Sequence, residues 1–473
     1  MRPGPRLRNR GERDAERSRV RNMHRLSTVA AAVILALTAH TACVSEREAG
    51  GMHDVPPDGS GSRLIVIGVD GADWQVIDPL VRSGRLPAFR RLREEGASGV
   101  LRSMEPSASP SLWTTVATGV RPERHGIGGF VVPAGRSSGD EAGPPIRPVT
   151  STMRRVPAFW NILSSFEKRV GVIGWLVTWP AEPVNGYVVS SYLPYIYNWS
   201  TGRPLKGTVV EGIPRQTFPE GLIDEVEAMK VRPPELPPSL VGRFYEPSGI
   251  DALSADDRAC VEGFRWSLAA DETYRRIGLR LFERYEVDLF ALYLGGIDVA
   301  SHRFWKHAHP DDLDYGVGED EVRVLGGVIA EYYTWVDSVI GEYLDMMDED
   351  DTLVVLSDHG FKPVWAPDRP TTSGHHRPQG ILALLGRHVA PRTAIAGAGL
   401  LDVLPTLLYL IDLPIASDLE GRIIAEAIEP SRLAAAPPRF VTSYGSIDRP
   451  AGPIDSDLDR NILERLRSLG YIQ

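Results

Sequence analysis

Cysteine is nearly missing from this chain: 473 residues carry two, Cys43 and Cys260. With Cys43 in an export signal, Cys260 has no internal partner, so a disulfide scaffold is excluded. One thiol without a nearby histidine pattern reads as a small packed or surface residue, not a nucleophile. Stability must come from a hydrophobic core. Basic clusters are absent from the body of the chain, no aromatic and basic residues interleave, and the net charge is -10; a nucleic-acid polymer is therefore not an expected partner. No internal repeat is evident. Long apolar runs are also lacking. The longest, Leu26 to Ala39 (LSTVAAAVILALTA), is too short for a comfortable membrane span and comes after an Arg-rich start.

That start predicts export. Residues 1–43 read as a signal peptide, with Met23-His24-Arg25 offering a more usual opening than Met1. LTAHTAC resembles a bacterial lipobox with His40 where an apolar residue is expected. Cys43 is thus either lipidated, tethering the protein to a membrane, or removed from consideration by plain signal-peptidase cleavage. Both routes place the mature chain in the periplasm or outside the cell. Residues 44–62, rich in Gly, Pro and acidic groups, read as a flexible tether.

What is present is ordinary globular material, 42% hydrophobic and 24% charged, enough for one large α/β domain with an insertion. The organising stretch is Leu353 to Phe361, LVVLSDHGF. Leu353 to Leu356 read as a strand buried on both faces, and such a strand delivers its next residues to the carboxyl edge of its sheet, where ligand sites gather. Asp358 and His359, side by side there, suit a divalent ion such as zinc. Alone the pair is weak, because a strand-end Asp often caps the next element.

Other strand ends finish in the same chemistry. Arg63 to Asp70 (RLIVIGVD) is a second β-branched strand ending in a carboxylate. Val287 to Leu294 is a third, running into GGIDVASH, where Asp298 and His302 would share one face of a helical turn. Thr371 to Gly380 carries His375 and His376, one of which makes a plausible last ligand. His307 and His309, in a polar Pro-containing segment, are expected to face solvent. In Pro106 to Phe130, Ser109-Pro110 precedes a helix ending at a Gly119 cap. A hydroxyl at a helix N-terminus suits a phosphate and a developing alkoxide. Ser109 is a candidate nucleophile activated by metal, with Ser107 and Ser111 competing, since serine there is first of all a cap.

Between these come a helix at Ala158 to Phe166, a strand at Val170 to Trp175, and an aromatic-rich stretch (Trp160, Trp175, Trp179, Tyr187, Tyr192, Tyr195, Tyr197, Trp199) that is either core or a substrate-facing wall. Residues 183–270 read as an inserted cap, Asp271 to Glu286 as an amphipathic helix, and Glu321 to Met347 as one long helix. Residues 63–430 form the catalytic domain and 431–473 an extension ending in a helix at Asp457 to Ile472.

Taken together, IVIGVDG, SPSLWTTVATGVRPERHGI, WNIL with GVIGWLVTWPAEPVNGY, GIDVASHRFW, SDHGF and GHHRPQGI resemble the type I phosphodiesterase/nucleotide pyrophosphatase branch of the alkaline phosphatase superfamily. The resemblance implies a central, mostly parallel sheet sandwiched by helices, and two zinc ions per chain. One ion would be held by Asp298, His302 and His376. The other would be held by Asp70, Asp358, His359 and the nucleophile Ser109, which lies ten residues before the Gly of the T-G pair. His376 is preferred to His375 because the family histidine directly precedes Arg-x-x-Gly, here Arg377 to Gly380. The activity implied is cleavage of a small phosphorylated substrate. Nucleotide pyrophosphatases place Asn shortly after the HGI turn, whereas Gly128-Gly129-Phe130 stands here, which takes away the signature of nucleotide specificity. The rival readings on the same fold are a phosphonate or sulfate ester hydrolase and a phosphotransferase acting on an envelope lipid or glycan. Ser109-Pro110-Ser111-Leu112-Trp113 lacks the C/S-x-P-x-R pattern of a sulfatase. No protein partner is implied.

Overall fold

Strand β1 (Leu64–Val69) is buried along all six residues, and the molecule is built outward from it. The computed structural model describes residues 62–133, 146–194, 196–197, 207–208, 213–312, 316–364 and 371–446. The expected signal peptide, nearly all of the tether and the helix at Asp457 to Ile472 lie outside the described residues. Next in chain order come helices α1 (Trp74–Arg82) and α2 (Pro87–Glu95), β2 (Ala97–Arg102), α3 (Ser109–Thr118), β3 (Val170–Ile173), β4 (Gly186–Val189) and β5 (Thr217–Phe218). Then come α4 (Ala255–Arg284), β6 (Leu289–Leu294), α5 (Gly296–Ala308), α6 (Val328–Asp345), β7 (Thr352–Leu356), β8 (Gly360–Pro363), β9 (Gly374–Arg377), β10 (Gln379–Gly386), β11 (Thr393–Ile395) and α7 (Leu400–Leu410). Nine strands share one sheet in the order β11-β2-β10-β7-β1-β6-β3-β4-β5, and β8 pairs with β9 as a separate hairpin.

The five middle strands, β7-β1-β6-β3-β4, are parallel to their neighbours; β10 and β5 join them antiparallel. The period-2 alternation of a strand explains the two layers of core. Ile65, Ile67 and Val69 pack with α1, α2, α4, α5 and α6 on one face, while Leu64 and Val66 pack with α3 and α7 on the other. Each fully buried aliphatic side chain contributes about 1.5–3 kcal/mol, so a sheet covered on both faces holds without a cross-link. The α/β sandwich expected from the sequence is the fold observed.

Four expectations change. The helix predicted from Asp271 begins at Ala255, capped by Ser254, whose hydroxyl accepts from the Asp257 N–H at 3.0 Å. Its first half, with Cys260, Val261, Phe264 and Leu268 buried at helical spacing, therefore belongs to the core layer and not to a cap. The expected insertion also yields β4, a buried strand hydrogen-bonded alongside β3. The long helix expected over Glu321 to Met347 is two, Glu319–Leu325 and α6, parted at Gly326-Gly327. Finally, His307 is 1% exposed, because α5 continues to Ala308 and turns it inward. Cys260 is packed, as expected, and burial pushes its thiol up to about 12, which leaves it protonated and inert.

Candidate metal centre

Parallel neighbours end at the same edge of a sheet, and three of these strands end in carboxylates or imidazoles. β1 pairs in register with β6 on one side and β7 on the other, so Asp70, the β6–α5 turn and the Asp358-His359 pair emerge together. The first turn of α5 presents Asp298, and His302 sits one turn later on the same face, its Nε2 3.4 Å from Asp298 Oδ1. The β8–β9 hairpin supplies the last group. Its register sets Phe361 opposite His376 and Lys362 opposite His375; alternate residues of a strand face opposite sides, so only one of the two histidines points inward. His376 does, with 12% of its side chain exposed, while His375 is on the solvent side.

The resulting cluster holds two groups of ligand atoms. In the first, His302 Nε2 and His376 Nε2 are 2.9 Å apart, and His376 Nε2 is 3.2 Å from Asp298 Oδ1. In the second, His359 Nε2 lies 3.2 Å from Asp70 Oδ1 and 3.5 Å from Asp358 Oδ2. His359 Nε2 is also 3.7 Å from Asp298 Oδ1, so the groups adjoin. All three imidazoles turn Nδ1 toward a backbone carbonyl: His302 to Gly374 at 2.8 Å, His376 to Ser107 at 2.8 Å, His359 to Gly360 at 3.3 Å. A carbonyl can only accept, so Nδ1 carries the proton and Nε2 presents a lone pair inward.

Lone pairs and carboxylates thus converge with little to offset them. Both carboxylate oxygens of Asp358 and the Nε2 of His359 are buried without a hydrogen-bond partner. Among the described residues, the ion pairs found for Asp70, Asp298 and Asp358 are all with these imidazoles and none is with Lys or Arg. Burial, then the Asp70 and Asp298 charges, push the Asp358 carboxyl well above the ordinary carboxylate range. Burial lowers His302 below its ordinary value, and at His376 it is outweighed by Asp298, which raises that imidazole. Burying an ion costs several kcal/mol, while one hydrogen bond to a charged group returns about 1.5–3 kcal/mol. Divalent cations are the species that fit, and the donor set of carboxylate oxygen and imidazole nitrogen suits zinc.

Ser109 faces this second group. The α3 cap is Ala108 and Ser109 is the first helical residue, with Gly119 ending the helix at φ 65° as a left-handed cap. Ser109 Oγ lies 3.5 Å from Asp70 Oδ1. Ser107 contributes its backbone carbonyl to His376, and Ser111 is wholly buried; the structure separates three serines that spacing leaves level.

The aromatic stretch reads as core. Trp160, Trp175, Trp179 and Tyr187 are all under 5% exposed, Tyr192 stacks on Trp179 at 5.5 Å, and the side chains of Tyr195, Tyr197 and Trp199 lie outside the described residues. Trp175 stands edge-on to Trp113 at 5.1 Å, and the Trp113 indole N–H donates to Asp70 Oδ2 at 3.1 Å. Tyr293 Oη donates to the same oxygen at 2.6 Å. Two neutral donors thereby hold the outer oxygen of Asp70 and leave Oδ1 for the cluster. Sequence reasoning misses both residues; Trp113 sits one helical turn after Ser109, a spacing that could have pointed to it. Tyr293→Phe is expected to lower metal affinity and turnover by about 10-fold with little change in melting temperature, checked by metal titration against a chelator.

A third grouping, Asp257, His307 and Glu321, already contains a cation: Lys306 Nζ is 2.9 Å from Asp257 Oδ1. It reads as an ion-pair network joining α4, α5 and the Glu319–Leu325 helix.

A family model described as type I phosphodiesterase / nucleotide pyrophosphatase matches residues 64–390, which spans every residue of the cluster. Solved structures similar to the chain include phosphonoacetate hydrolase from Sinorhizobium meliloti 1021 in complex with phosphonoformate, at 19% identity and a TM-score of 0.36. The same enzyme in complex with phosphonoacetate matches equally. The similarity covers 67% of this chain and 62% of that one, so the chain spans under two thirds of that relative. No curated protein matches.

Proposed function

Because this chain belongs to the type I phosphodiesterase/nucleotide pyrophosphatase family, we propose that it is a phosphoester hydrolase, and more narrowly a two-zinc phosphodiesterase whose nucleophile is Ser109. The observation that carries this reading is the convergence of Asp70, Asp298, Asp358, His302, His359 and His376 at one sheet edge, Nε2 inward, with Ser109 Oγ 3.5 Å from Asp70 Oδ1. Asp298, His302 and His376 would hold one zinc; Asp70, Asp358 and His359, with Ser109, the other. When bound, the ions supply Lewis acidity that lowers the pKa of a hydroxyl or water and shares the charge of the phosphoryl oxygens.

The chain's own residues do the rest. The N-terminus of α3 aims backbone N–H groups and the positive end of its dipole at the phosphoryl group. Ser109 Oγ, 3.5 Å from Asp70 Oδ1, attacks phosphorus in line, its proton passing to solvent as the new P–O bond forms. The bond from phosphorus to the leaving alkoxide breaks, and the alkoxide takes a proton from water. Water then cleaves the phosphoseryl enzyme and restores Ser109. Trp113 and Tyr293 keep Asp70 oriented throughout. The Arg-rich and apolar segments before Cys43 support export, and within the described residues no helix is long and apolar enough to cross a membrane; a lipidated Cys43 would serve as tether.

The test pairs metal content of the purified mature chain with hydrolysis of bis-p-nitrophenyl phosphate and p-nitrophenyl phosphate, with and without chelator. About two zinc per chain and faster, chelator-sensitive diester cleavage are expected. Zinc without cleavage of either ester would favour transfer to a lipid or glycan acceptor, and a folded, metal-supplied chain without zinc would overturn the proposal.

A further inference from the structure

The two ligand groups come from four segments: the turn after β1, the first turns of α5, the turn after β7 that leads into β8, and β9. One side chain ties the first of these to β8 and β9. Asp73, three residues after Asp70, is wholly buried. Its Oδ2 accepts from Arg377 Nε at 2.6 Å and from the Phe361 N–H at 3.0 Å. Its Oδ1 accepts from Arg377 Nη2 and, at 2.8 Å, from the Gln75 N–H at the start of α1. Its own N–H donates to Tyr333 Oη at 3.0 Å. Every acceptor position of the carboxylate is used. Phe361 lies two residues after His359, and Arg377 comes directly after His376. The approach is close enough that a Cβ on Gly360 would stand 2.4 Å from Asp73 Oδ2, so only glycine fits between His359 and the hairpin.

We infer that Asp73, through its two-pronged pair with Arg377, is the positioning residue that sets the spacing of the two metal groups, an inference that rests on the two-metal reading above. The pair joins the Asp70 and His359 segments of one group to the His376 strand of the other, and an Arg–carboxylate fork fixes angle as well as distance. Metal sites require ligands held to about 0.5 Å. Arg377 is thereby committed to Asp73 and is not a clamp for the substrate phosphate.

The test compares wild type with Arg377→Lys, which keeps the charge and removes the fork, and Asp73→Asn, which keeps the shape and removes the charge. Each is stripped and reloaded with Co2+, and the readouts are stoichiometry, spin coupling between the two ions, kcat at saturating metal and melting temperature. Wild type is expected to take two equivalents and show a coupled signal. In Arg377→Lys the weaker equivalent should bind about 10–100-fold less tightly, with altered coupling and a similar fall in kcat that added metal does not restore. A role in stability alone would lower the melting temperature and leave coupling and kcat as in wild type, and that result overturns the inference. Should Asp73→Asn fail to fold, Arg377→Lys decides alone. A wild type that takes no second equivalent strikes down the two-metal reading, and the brace with it.

Discussion

Replacing Ser109 with alanine is expected to lower diester cleavage by about 10³-fold or more while both metals stay bound. On the proposed mechanism Ser109 Oγ is the attacking oxygen, so its loss removes a covalent step and not merely a contact. Metal is expected to remain because His359 Nε2 keeps a carboxylate oxygen of Asp70 at 3.2 Å and one of Asp358 at 3.5 Å. Activity and zinc content measured on one preparation would separate these effects. Ser111→Ala serves as control: that side chain is wholly buried, and its hydroxyl has no hydrogen-bond partner, so activity within a few-fold of wild type is expected. Ser109→Ala turning over at the wild-type rate would refute the assignment.

Asp358→Asn should abolish activity to a similar degree and also make the metal-free protein more stable at neutral pH. Asp358 is completely buried, and both its oxygens lack hydrogen-bond partners. Burial first, then Asp70 and Asp298, raise its pKa well above the ordinary 3.8. A raised folded-state pKa means that the native state binds the proton more tightly than the unfolded chain does. Its contribution is therefore fully present below about pH 4 and is lost as pH rises through the raised value. Without metal, wild type should lose stability over that rise and Asp358→Asn should lose less. With zinc the order reverses, because metal binds the ionised carboxylate and stabilises the fold by mass action. Melting curves in chelator and in zinc, at pH 4 and pH 8, check both halves. Equal pH dependence of the two metal-free proteins would refute the electrostatic account.

The grammar of strand ends made the cluster legible: apolar runs halting at Asp70, Asp358 and the turn before Asp298 carry their meaning in sequence, because a buried parallel strand must deliver its next residue to the sheet edge. The i, i+4 spacing of Asp298 and His302 was readable for a similar reason. The choice between His375 and His376 was not readable from spacing, since both fit a loop; it is decided by β8–β9 register, a tertiary fact. The start of α4 is masked because the Pro-rich sequence just before Ser254 lends its character to the first turns of the helix. Tyr293, Asp73 and Arg377 stayed hidden because their partners are far away in the chain: a hydrogen bond from residue 293 to residue 70 leaves no local pattern.

The placement of β1 bears on how the protein comes into being. Leu64 pairs with Leu289 on one side and Thr352 on the other, so the earliest described strand has no sheet partner until most of the chain has been synthesised. Contacts of such sequence separation form slowly and leave strand edges open to aggregation meanwhile. Asp70 waits with it. A nascent chain halted before residue 298 holds Asp70 and Ser109 but lacks every other ligand, and one halted before residue 376 still lacks a histidine. The complete ligand set can therefore assemble around an ion only after residue 376 has been synthesised.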